Sequence, residues 1–132
     1  MNGTDCVQLA TTFFQLPHKI QTEEFLRSDL ETRYAIYLCG NQYMRPATIY
    51  LAEPFARGGK SVADFLQPKL ARANDDLTVR DIVRVFREMR RSGTYDVAND
   101  RDLMRLISAG VESMKVAEWK ESVTRMVEEI KR

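Results

Sequence analysis

The spacing of apolar residues limits what this chain can fold into more than any other feature. Three consecutive stretches in its C-terminal half repeat one pattern. The first carries Val79, Ile82, Val83, Phe86 and Met89; the second Leu103, Leu106, Ile107, Gly110, Val111 and Met114; the third Val116, Trp119, Val123, Met126, Val127 and Ile130. Steps of three and four residues line up one face of an α-helix and scatter across both faces of a strand. Alternation suited to a strand is absent apart from a weak run at Thr48 to Leu51.

Punctuation agrees with the periodicity. Thr78 with Asp81 resembles a capping box, and Leu77 with Ile82 a hydrophobic staple. Gly93 suits the left-handed residue after a helix, and Asn99 or Asp100 can open the next. In the N-terminal half, a helix is expected over Asp5 to Leu16, capped by Thr4 or Asp5, with Cys6, Leu9, Ala10 and Phe13 on its buried face and Pro17 as its stop. A second is expected from Thr22, with Leu26, Leu30, Tyr34, Tyr37 and Leu38 as its stripe and Gly40 or Asn41 as a left-handed end. The middle, Gln42 to Asn74, holds Pro46, Pro54, Pro68 and the pair Gly58-Gly59, and predicts short helices only. Pro46 can open one, Ser61 with Asp64 another, and Pro68 should kink or restart the latter. The expected fold is all-α: five to six helices in an irregular orthogonal bundle, forming one domain over residues 1–132.

Charge excludes several partners. The 20 basic and 19 acidic side chains nearly cancel, so nothing draws the whole chain to nucleic acid or anionic lipid. The helix after Asn99 begins Asp100-Arg101-Asp102, where two carboxylates would repel a phosphate backbone; DNA reading is not expected. No apolar run approaches the roughly 18 residues of a membrane helix. Met1 to Cys6 is polar, without a basic segment or a long apolar run, so the chain is expected in the cytoplasm. The alternative is a mature extracytoplasmic chain in which Cys6 and Cys39 are bonded. A hairpin of the first two helices would leave these cysteines offset by about 10 Å at 1.5 Å per residue, which the link after Pro17 could absorb. Bonded and free thiols both remain open.

No arrangement of residues points to catalysis or to a cofactor. His18 is the one histidine, and Cys6, His18 and Cys39 have the spacing of no closed zinc site, so no metal is expected. Arg57-Gly58-Gly59-Lys60-Ser61 ends like a phosphate loop, but Pro54 stands where the first glycine belongs and no buried strand precedes it. Glu53, Asp64 and Asp75 form no evident acid–base pair. The chain reads as a non-enzymatic interaction module.

Two segments are candidates for the docking face. Arg80, Arg84, Arg87 and Arg91 recur in one narrow helical stripe, opposite Phe86 and Met89, where four guanidinium groups could grip an acidic partner. Tyr43, Arg45 and Tyr50 lie in the irregular middle, and tyrosine with arginine suits an interface carried on a loop. A small-ligand or lipid-binding bundle, with a pocket between the first two helices and the proline-rich middle, is an alternative. Self-association is a further option. Leu77-Thr78-Val79 through Met89, followed by Leu103 to Met114, resembles the helix pairing of small helical immunity proteins of bacterial secretion systems, without the additional cysteines expected there. That resemblance implies an inhibitor-type protein outside the cytoplasm.

Overall fold

The structure is a computed structural model that describes residues 3–132, with side chains from Cys6 onward. The proposed caps Thr4 and Asp5 lie outside the described side chains. The fold is all-α, with eight α-helices and no strand among the described residues. The contacts divide the chain into two compact units, Met1–Phe55 and Ala56–Arg132.

The first unit holds α1 (Gly3–Thr11), a 3-10 turn (Phe13–Gln15), α2 (His18–Arg27), α3 (Leu30–Gln42) and a second 3-10 turn (Ile49–Leu51), and it ends within α4 (Ala52–Ala56). The expected count of five to six helices falls short chiefly here. The stripe from Leu26 to Leu38 is continuous and reads as one helix. The chain instead turns extended at Ser28 and restarts at Asp29, whose carboxylate accepts the Thr32 N–H at 2.8 Å. That cap satisfies an orphan donor and makes the restart stable. Hydrogen bonding of Asp29 also lowers its pKa, the Thr32 backbone N–H being the main cause. Aromatic edges fill the core: Phe25 and Tyr37 each meet Phe55 in T-shaped contact, with centroids 5.5 and 5.6 Å apart, the geometry that opposes ring edge to ring face.

Gly40 is not the left-handed end expected of it. It lies inside α3, and among the described residues only Gly59 and Gly93 have positive φ. Its role is close approach. Thr48 crosses it, donating its N–H to the Gly40 carbonyl at 3.0 Å, and a Cβ at position 40 would collide with Thr48 Oγ1.

The second unit contains α5 (Lys60–Ala71), α6 (Asp76–Ser92), a 3-10 turn (Val97–Asn99), α7 (Arg101–Ser113) and α8 (Ala117–Lys131). Helix α6 packs against α5, α7 and α8. It begins earlier than the Thr78 box suggests: Asp75 is the cap, accepting the Thr78 N–H and hydroxyl at 2.8 and 2.9 Å. Its end is as read, with Gly93 left-handed at φ 71°. Asp100 caps α7 through the Leu103 N–H at 3.1 Å. The Gly58-Gly59 pair serves as a turn: Gly59, at φ 59°, precedes α5, and a Cβ there would stand 2.8 Å from the Thr94 carbonyl oxygen. Pro68 does not restart α5: the helix runs through it from Lys60 to Ala71, without the backbone bond that an N–H at this position would make to the residue one turn before. Trp119, expected on the buried face of the last helix, is 38% exposed, because the covered stripe of α8 starts at Val123.

Candidate functional site: a cleft in the first unit

Helix α2 opens at His18 directly after Pro17, and one turn later carries Gln21 on the same side. Gln21 is buried and its amide is fully engaged. Nε2 donates to the Leu16 carbonyl at 2.9 Å and reaches that of Phe14 at 3.5 Å, while Oε1 accepts the hydroxyl of Tyr50. Tyr50 arrives from the 3-10 turn Ile49–Leu51 and stacks its ring on His18, centroids 4.4 Å apart and 24° between planes. Burial raises the Tyr50 pKa, partly opposed by its bond to Gln21, so the phenol is protonated and serves as a donor.

This pair forms one end of a cleft of about 430 Å³. Ala10, Phe14 and Gln15 line one side, and the segment from Met44 to Thr48 lines the other. Arg45 is the permanently charged side chain of the lining, and no carboxylate belongs to it. The guanidinium is exposed and its Nη1 donates only to the neighbouring Met44 carbonyl, at 2.9 Å. The bond between Arg45 and Pro46 is cis. Beside the cleft, Tyr43 is 62% and Ile49 53% exposed. Thr48 is buried, and among the described residues its hydroxyl has no hydrogen-bond partner; nor has the side-chain amide of buried Asn41, one residue after Gly40. Such groups commonly cost about 1–3 kcal/mol each.

The two candidate docking segments fare differently. Arg45 and Tyr50 come together on this cleft, with Tyr43 on the adjoining surface. The arginine stripe lies on α6 in the other unit and is not an open face. Arg80, Arg84 and Arg87 are at most 20% exposed at their side chains. Asp81, wholly buried, receives Arg80 at 3.0 Å and Arg84 at 3.7 Å. Arg91, 49% exposed, is held by Glu129 at 2.6 Å and Glu88 at 3.2 Å. Burial, then the neighbouring Arg91, lowers the pKa of Arg87, whereas the bond to Glu129 raises that of Arg91. Val79, Ile82, Val83, Val85, Phe86 and Met89 gather on one face of α6 and the arginines on the other, the pattern of a helix with one open face, so the covering of the arginines comes from tertiary packing and from the buried Asp81 rather than from a local signal.

Cys6 and Cys39 are paired as a disulfide, joining α1 to α3. His18 therefore meets Tyr50 and no thiol. Among the described residues, no group of three or more His, Cys, Asp or Glu side chains could hold a metal ion, and no helix is long and apolar enough to cross a membrane. Sequence reasoning passed over Phe14, Gln21 and Thr48. The i, i+3 spacing of His18 and Gln21 was available, but nothing local reveals that Tyr50, 29 residues on, faces Gln21. No protein family, no curated protein and no solved structure matches this chain.

Proposed function

We propose that the chain is a non-enzymatic binding module that docks an acidic segment of a protein partner at the cleft between Arg45 and Tyr50. One observation carries this reading: the cleft combines an uncompensated guanidinium with aromatic and apolar walls and contains no carboxylate. An arginine fork pairs bidentately with a carboxylate, and the exposed Tyr43 and Ile49 extend the contact surface. The arginine stripe is left out because its side chains are engaged by acids of their own unit. The non-enzymatic part rests on the lining itself, in which Tyr50 is protonated and hydrogen-bonded to Gln21, the ring of His18 is stacked on Tyr50, and no thiol is present. The cleft's volume also favours a second reading, a small carboxylate ligand, since ligand pockets span roughly 300–1,000 Å³.

Panning a random peptide library on the oxidised protein tests the proposal. Acidic peptides should be enriched, and their binding should weaken steeply with salt, as exposed charge contacts do. Arg45→Glu should abolish it, while Arg105→Glu, at an exposed position on α7, should leave it intact. Enrichment without acidic residues, or full binding by Arg45→Glu, would overturn the reading. A thermal shift with small carboxylic acids but none with the peptides would favour the second.

A further inference from the structure

Both sides of the cleft are fastened to neighbouring residues of α3. The Met44–Thr48 side is held at Gly40, whose carbonyl accepts the Thr48 N–H at 3.0 Å. The Ala10–Phe14 side continues from α1, which is fastened at Cys39 through the disulfide from Cys6. Apart from that bond α1 is weakly held. Among its described side chains only Cys6 is buried; Gln8 and Thr11 are exposed, and Val7 is 69% exposed. A nine-residue helix does not sustain itself in water. Phe13, just beyond, is the next buried anchor.

We propose that the Cys6–Cys39 disulfide is a redox latch on the cleft: its reduction releases α1 and loosens the wall at Ala10, lowering affinity for the partner. The proposal rests on the cleft being the binding site. The reductant is a dithiol. One of its thiolates attacks Cys6 Sγ, the Sγ–Sγ bond breaks, and Cys39 leaves as a thiolate. The second thiol of the reductant then displaces Cys6 from the mixed disulfide. Two electrons and two protons pass to the protein, giving two cysteine thiols and one oxidised reductant. Cys6 is the sulfur attacked, because α1 can fray outward whereas Cys39 lies in the interior of α3. Once both thiols form, α1 with Ala10 has lost its cross-link to α3, and the energy of ordering that part of the wall falls on the binding step.

The test compares oxidised protein, protein treated with dithiothreitol, and Cys6→Ser, by amide hydrogen exchange and by titration of an acidic peptide selected on the oxidised form. Exchange should quicken about tenfold or more over residues 6–15 in both disulfide-free forms, as expected for local release, while α2 and α3 of the same unit keep their protection and certify that it is folded. Peptide affinity should fall by about tenfold or more, as loss of preorganisation implies. Unchanged exchange at residues 6–15 overturns the latch. Quickened exchange with unchanged affinity overturns it too, because α1 would then be released without consequence. If the oxidised protein selects no acidic peptide, the docking reading falls, and the latch is judged by exchange at residues 10–15 and 44–50 together: it stands only if both sides loosen.

Discussion

Replacing Gly40 by alanine sets two known effects against each other. In an exposed helix interior the change is favourable, by about 0.8–1 kcal/mol. At Gly40 the new Cβ would meet Phe14 Cζ at 3.0 Å and Thr48 Cβ at 3.1 Å, and would overlap Thr48 Oγ1. Phe14 can shift, but Thr48 is tied through its own N–H to the Gly40 carbonyl and cannot retreat without losing that bond. Overpacking costs about 1–3 kcal/mol and a lost hydrogen bond about 1 kcal/mol. Sterics should therefore win, leaving Gly40→Ala roughly 1–3 kcal/mol less stable once the helical gain is subtracted. Gly110 supplies the control. It also lies inside a helix, α7, but a Cβ there would touch Leu70 and Val79 at 3.4 Å, near contact distance. Gly110→Ala should stabilise by about 0.5–1 kcal/mol. Urea unfolding followed by far-ultraviolet circular dichroism measures both. A Gly40→Ala protein as stable as the parent would refute the close approach at α3, and with it the geometry of that side of the cleft.

Two further perturbations address the second unit. Asp81→Ala would leave the Arg80 and Arg84 guanidinium groups, both largely covered, without the buried carboxylate between them; breaking such a pair costs about 3–5 kcal/mol, and a loss below about 1 kcal/mol in urea unfolding would show that the contact is incidental. The Tyr95–Asp100 hydrogen bond, at 2.6 Å, makes stability depend on pH at both extremes. Tyr95, raised to about 12 chiefly by Asp100, stabilises the fold below its unfolded value of 10.0 and loses that contribution as pH rises through about 12. Asp100, lowered by Tyr95 and then by the Leu103 N–H, contributes above its unfolded value of 3.8 and loses that contribution as pH falls through its lower folded value. Ultraviolet titration should show late-ionising tyrosines, and Tyr95→Phe should remove one of them; an unchanged titration would mean that the bond does not persist in solution.

Individual elements show how far the sequence could be read. The later boundaries were legible because their signals are local: Asp100 caps through a residue three positions on, and Gly93 needs only its own missing Cβ. The restart at Asp29 was not, since the apolar stripe from Leu26 to Leu38 runs through it without a change of phase. Arg80, Arg84 and Arg87 read as a solvated face because they lie opposite the apolar stripe of α6, and the packing that covers them is not encoded along the helix. Tyr43, Arg45 and Tyr50 were singled out on composition, but their relation to His18 and Gln21 was not visible along the chain.

The sequence by itself determined the helical class, the Asp100 cap, the Gly93 end and most of the buried positions of α6, α7 and α8, because periodicity, caps and turn residues act within about one helical turn. Only the tertiary structure decided that Cys6 reaches Cys39, that Tyr50 meets Gln21, and that Asp76, at the start of α6, accepts the N–H groups of Lys115 and Val116 at 3.0 and 2.7 Å just before α8. Each of those contacts spans roughly 30 to 40 residues of chain. Local preferences carry no information over such a span; the contact exists because packing elsewhere delivers two groups to one place.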